Sequence, residues 1–199
     1  MSDSKAITVV DYGSGNTGSL TKALDHLGAR WSLADSAQKL EHGGPVIFPG
    51  VGAFGAVMQR LRERDLVSAV NAAIADGRPF LGICIGLQVL FEESDESPGV
   101  AGLAALPGKC LRFNAGKVPQ IGWNEVQSRD PDLLPNGHYY FVNSYYVRPS
   151  DDDASLAHAD YHGRFTAAVR RGNVVATQFH PEKSGSLGLD FLRTWLDVG

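Results

Sequence analysis

Residues 79–84, Pro-Phe-Leu-Gly-Ile-Cys, form an apolar run with no polar alternation. A strand with one wet face alternates polar and apolar residues. A strand without alternation must be covered on both faces, which is the state of strands in parallel sheets flanked by helices. That run therefore demands a layered α/β architecture, and the sequence around it supplies the layers. Residues 5–12 are β-branched and apolar and end in a glycine-rich segment. Leu20, Ala23, Leu24 and Leu27 then recur at helical spacing before Gly28. Residues 30–35 and 45–50 read as the second and third strands. A single longer helix is expected next, with Val57, Leu61, Leu66, Val70 and Ile74 inward and Arg60, Arg62, Glu63 and Arg64 outward.

Beyond residue 100 the pattern changes to short strand-like pieces separated by Gly, Pro and Asp turns. Among them are "KCLRF", "WNEVQ", "HYYFVNSYYV", "FTAAVRRG" and "NVVATQF", and they read as antiparallel. "SDDDAS" reads as a solvated loop, and a helix over 186–197 closes the chain. The expectation is one α/β domain over residues 1–199, a mainly parallel sheet extended by antiparallel strands. The length of 199 residues suffices for a full core.

Within this frame three segments carry chemistry. The apolar run continues as "GICIG", a G-x-C-x-G version of the nucleophile elbow, at a strand-to-helix turn. A cysteine in an apolar run is more often packing material. Here Gly82 and Gly86 relieve crowding where the backbone reverses, and the free N–H groups of the following helix favour a thiolate at Cys84. The N–H of Ile85 is placed to face an oxyanion. Gln88 lies one helical turn on, either facing a substrate or exposed on a helix rim. Far down the chain, "TQFHPEKS" offers a proton carrier. Pro181 keeps His180 out of helical conformation, so His180 and Glu182 are expected side by side on an extended segment. The third segment, "GSGNTG" (13–18), fits G-x-G-x-x-G, and the next strand ends in Asp35. That is a dinucleotide fingerprint, or else a tight turn built of small residues, or a loop presenting Asn16 to a partner.

Composition narrows the classes. A net charge of −4 gives no attraction for nucleic acid. The longest apolar stretch, Phe80 to Phe91, is too short for a membrane span, and no basic leader precedes an apolar segment. Two cysteines without a CxxC pair suggest neither disulfides nor zinc, so a reducing cytoplasm is the expected compartment. His158 and His162 have metal-like spacing, but Gly163 follows and no carboxylate motif supports a metal. Cys110 is assigned to packing.

Taken together, "PGVG" (49–52), "GICIGLQ" (82–88) and "HPEKS" (180–184) resemble, in order, the three signature blocks of the class I (triad) glutamine amidotransferases. Within that family, "PGVGAFG", "LFEESDESPGV", "GWNEV" and "YYFVNSY" look most like the glutaminase subunits of imidazole glycerol phosphate synthases. The resemblance implies a three-layer α/β/α fold and a Cys84–His180–Glu182 triad that makes a γ-glutamyl thioester. It also implies an oxyanion hole from the N–H groups of Val51 and Ile85. It places Gly50, Gly52, Gln88, Glu96, Ser144 and Tyr145 around the glutamine, with Glu96 facing the α-ammonium. No cofactor and no metal are implied. Because free ammonia is protonated in water, the resemblance implies a docked (β/α)₈ cyclase that receives it, with Asn16, Trp123, Tyr140 and Lys183 at the interface. Other readings are a glutaminase serving anthranilate, aminodeoxychorismate or pyridoxal phosphate synthesis, a binding protein with Cys84 as a redox sensor, and the dinucleotide enzyme.

Overall fold

The computed structural model describes residues 6–13, 17–41 and 43–198. Four short strands, β1 (Ile7–Val10), β3 (Val46–Phe48), β4 (Phe80–Ile83) and β12 (Val174–Thr177), are buried at every residue. These are the unalternating runs, and helices cover them on both sides. With β2 (Trp31–Ala34) they form a parallel block in the order β2-β1-β3-β4-β12. The sheet continues through β11 (Arg164–Arg171), β10 (Ser155–Asp160), β7 (Gln120–Ser128) and β8 (Gly137–Asn143), all antiparallel. A branch of β9 (Tyr145–Pro149), β6 (Gly108–Arg112) and the two-residue β5 (Glu93–Ser94) leaves the main path at β11. The expected mixed α/β architecture is present.

Two cores lie on the two faces. Ile7 and Val9 of β1 pack with Leu20 and Leu24 of α1 (Gly18–His26) and with Phe191, Leu192 and Trp195 of α6 (Gly185–Val198). Val10 points the other way, toward Leu40 of α2 (Ala37–Glu41), Phe54 and Leu61 of α3 (Phe54–Glu63), and Leu66 and Val70 of α4 (Leu66–Ala75). The result is a three-layer α/β/α body.

The single helix expected over 57–74 is two helices. Asp65 adopts a left-handed φ of 54° between α3 and α4, a conformation that Asp tolerates better than most residues. The sequence carries the reason: the step from Leu61 to Leu66 is five residues, which no α-helical face accommodates. Val57, Leu61, Leu66 and Val70 are buried as expected, whereas Ile74 is half-buried. "HYYFVNSYYV" likewise splits at Ser144 into β8 and β9. The "SDDDAS" stretch holds a single 3₁₀ turn, Asp152–Ala154, before β10 begins. β12 belongs to both halves, because it runs antiparallel to β11 and parallel to β4.

Candidate active site

The parallel pairing of β12 with β4, from Val174 opposite Phe80 to Thr177 opposite Ile83, ends both strands at one edge of the sheet. Cys84 N–H donates to Thr177 C=O at 2.7 Å and locks that edge. β3 ends there too, with Phe48 opposite Gly82. Residues remote in sequence thus meet outside the carboxyl ends of parallel strands, where α/β sheets hold their ligands.

Cys84 is at the bend itself, with φ 56° and ψ −106°, a strained conformation for any residue with a Cβ. Small neighbours make it attainable. A Cβ on Gly86 would lie 1.9 Å from Phe48 O, and one on Gly82 would lie 2.8 Å from Gly86 O. The following helix, α5 (Ile85–Gln88), is only one turn long. What it contributes is the local N–H of Ile85.

His180 is extended, with φ −98° and ψ 97°, and its N–H donates to Tyr140 C=O at 2.9 Å. The segment does not stay extended: Pro181–Lys183 forms a 3₁₀ turn with Pro at its start, where a missing N–H costs nothing. It is this turn, rather than strand alternation, that folds Glu182 back so that its Oε1 lies 2.7 Å from His180 Nδ1. Burial disfavours a charged imidazole at His180. The hydrogen bonds from Cys84 and Glu182 and their charges outweigh it, and the pKa rises to about 10. His180, 2% exposed, has the Glu182 carboxylate on one side and interacts with the Cys84 sulfur on the other. Glu182 Oε2 is buried without a hydrogen-bond partner.

In front of this line opens a cavity of ≈ 290 Å³. Cys84, Ile85, His180, Val51 and Gly52 form one part of its wall, and Gln88, Glu96, Ser144, Tyr145 and Lys183 another. Three expected residues have more specific places. Gly50 is buried against Tyr12, whose hydroxyl would lie 1.8 Å from an added Cβ and instead donates to Val51 C=O at 3.3 Å. Glu96 accepts from Phe54 N–H at 2.6 Å, so the start of α3 orients it. Gln88 is buried rather than exposed on a rim, and its Nε2 donates to Tyr145 O at 3.2 Å and Gln178 Oε1 at 3.1 Å.

Of the expected interface residues, Asn16 lies outside the described residues. Trp123 is 57% exposed and stacks edge-on against Tyr140, with centroids 6.0 Å apart. Ile121, 64% exposed, and Val142 share that face of the β7–β8 hairpin. Val142 also lines the cavity, so an exposed apolar patch reaches the mouth of the site. Sequence reasoning missed Ile121, Val142 and Gln178. For Val142 a signal existed: in "YYFVN" both faces of the strand are apolar, and only one can face the core. Gln178 had no signal beyond its place before His180.

Asp35, the acid of the dinucleotide fingerprint, is in a surface ion pair with Lys39 at 2.9 Å. Among the described residues no group of three or more His, Cys, Asp or Glu could hold a metal ion. Among them, too, no helix is long and apolar enough to cross a membrane.

Comparison with known proteins converges on one family. The model of "Glutamine amidotransferase class-I" matches residues 8–196. A Methanothermobacter thermautotrophicus protein named imidazole glycerol phosphate synthase subunit HisH is 46% identical over 197 residues, covering 96% of this chain and 98% of that one. Namesakes from Geobacillus kaustophilus (41% identical, 96% of each chain) and Rhodopirellula baltica (45%, 94% and 95%) are similar over nearly their whole lengths. A solved glutamine amidotransferase matches with TM-score 0.79 at 22% identity, covering 96% of this chain and 97% of that one. PurLQS from Thermotoga maritima matches with TM-score 0.76 at 20% identity, covering 97% and 98%. At these identities the solved structures speak for the fold alone.

Proposed function

The chain belongs to the class I glutamine amidotransferase family, and on that premise we propose how it works as the glutaminase subunit of an imidazole glycerol phosphate synthase in histidine biosynthesis. The observation that carries the mechanism is the buried Cys84–His180–Glu182 line facing a cavity large enough for an amino acid.

Glutamine enters with its α-ammonium toward Glu96 and its carboxamide toward Cys84. His180 takes the thiol proton, and the sulfur attacks the carboxamide carbon. The oxygen gains charge and is met by the N–H groups of Ile85 and Val51; one such donor contributes about 10²–10³ in rate. Collapse of the tetrahedral species breaks the C–N bond, and His180 returns its proton to the departing ammonia. A γ-glutamyl thioester remains. Water, deprotonated by His180, then attacks the same carbon, and glutamate leaves as the proton returns to sulfur. Glu182 holds Nδ1–H throughout, which keeps Nε2 directed at the chemistry.

The ammonia is captured by a (β/α)₈ cyclase docked over the Ile121, Trp123, Tyr140 and Val142 face, with Lys183 beside the cavity. An apolar patch opening onto a site that releases a volatile, readily protonated product suits a surface that a partner covers. The test is reconstitution: the chain mixed with an imidazole glycerol phosphate cyclase subunit should release glutamate from glutamine and form imidazole glycerol phosphate. Glutamate release with an anthranilate or aminodeoxychorismate synthase partner, and none with the cyclase, would refute the assignment.

A further inference from the structure

Around the Cys84 sulfur is a second side chain that the triad does not use. Gln178 is fully buried at the end of β12, and its Nε2 lies 3.8 Å from Cys84 Sγ. Its position is rigid: the backbone N–H donates to Ala167 O at 2.8 Å, and the preceding Thr177 hydroxyl donates to Phe179 O at 3.0 Å. An amide can present either end, but here the choice is fixed. Gln88 Nε2 has two hydrogens, one directed to Tyr145 O at 3.2 Å and one to Gln178 Oε1 at 3.1 Å. A flipped Gln178 would set two amide nitrogens against each other, donor to donor. The oxygen must face Gln88, and the nitrogen must face the sulfur.

A side-chain amide nitrogen donates and does not accept. Besides His180, the thiol has an acceptor in Val142 C=O, 3.9 Å from Sγ, which can hold the protonated sulfur only. Gln178 does the opposite, because its N–H is strengthened when the sulfur is an anion. Gln178 itself is fully buried, so its N–H is shielded from solvent. We propose that Gln178 is a neutral hydrogen-bond donor to the Cys84 thiolate, held in its donating orientation by Gln88. It stabilises the nucleophile while leaving His180 free to move the proton. Gln88 then has two tasks, since the side chain that borders the substrate also sets the amide behind the sulfur. Arrival of glutamine against Gln88 is thereby coupled to the state of the thiolate.

The proposal rests on Cys84 being the nucleophile of the glutaminase reading, and its test uses a different readout. In a Cys110→Ser background, the rate of Cys84 alkylation by iodoacetamide is followed against pH for the wild type, Gln178→Met and Gln178→Glu. Removing one donor to an ionised acceptor should slow alkylation about three- to tenfold below the plateau and move the midpoint to higher pH. Gln178→Glu, which keeps the shape and the partnership with Gln88 but adds an anion beside the sulfur, should shift it further. Because either variant can lose stability, the side-chain amide resonances of Gln178 in the unsubstituted chain give an independent measure. They should titrate with the midpoint of Cys84 alkylation. Folded variants with wild-type profiles, or Gln178 resonances that stay still while Cys84 ionises, would overturn the proposal. Failure of the glutaminase reading would show separately, as no glutamate release by the wild type with its partner, and would leave this comparison standing.

Discussion

The two cysteines of this chain are both buried, yet they occupy opposite kinds of place. Cys110 lies within β6, fully enclosed, its sulfur 3.5 Å from Gln88 O. Burial, reinforced by the Glu96 carboxylate, pushes its thiol far above the ordinary range. Cys84 is 7% exposed, strained at a bend just past the end of β4, and borders a cavity together with an imidazole. Both would be counted as core by accessibility. What separates them is position along a strand: mid-strand, a side chain is walled by its neighbours, whereas at the carboxyl edge of a parallel sheet other strands deliver partners to it.

The largest expected difference is between Cys84→Ser and Cys110→Ser. The first should lower glutaminase activity in the complex by more than about 10³-fold, and the second should leave it within about twofold. Next, Glu182→Gln should cost about 10²- to 10⁴-fold in kcat, since His180 loses the carboxylate that orients it and supports its charge. A smaller and different effect belongs to the bend. Gly86→Ala puts a Cβ 1.9 Å from a backbone oxygen that cannot swing aside. It should lower stability by about 1–3 kcal/mol or more in denaturant titrations.

The smallest effect is a pH dependence. Folding raises the His180 pKa to about 10. Its stabilising contribution is therefore complete below the unfolded value of about 6.5 and fades as pH climbs through about 10. Melting temperature should fall over that window in the wild type and in Cys110→Ser, and the slope should flatten in Cys84→Ala.

Much of this was legible in the sequence, and particular residues show why. The run 79–84 announced a parallel sheet because burial on both faces leaves no room for alternation. The bend at Cys84 was readable from Gly82 and Gly86, since only glycine permits the approach to Phe48 and between themselves. His180 and Glu182 were found, but for a reason the molecule does not use: a 3₁₀ turn brings them together. That turn depends on the chain that follows it, where Ser184 Oγ donates to His180 O at 2.6 Å. The break at Asp65 was present in the five-residue step from Leu61 to Leu66. Gln178 was invisible, because its significance arises only when β12 is laid beside β4 and Gln88 is turned inward.

The central claim is that one of two buried sulfurs is a nucleophile, by virtue of where its strand ends. Incubation of the chain, bound to its cyclase partner, with a glutamine analogue bearing an electrophilic side-chain carbonyl tests it most directly, with adducts mapped by mass spectrometry. A single adduct on Cys84, protection by excess glutamine, and an unmodified Cys110 are expected. Equal labelling of the two cysteines, or an unlabelled Cys84 in a complex that still turns over glutamine, would contradict it.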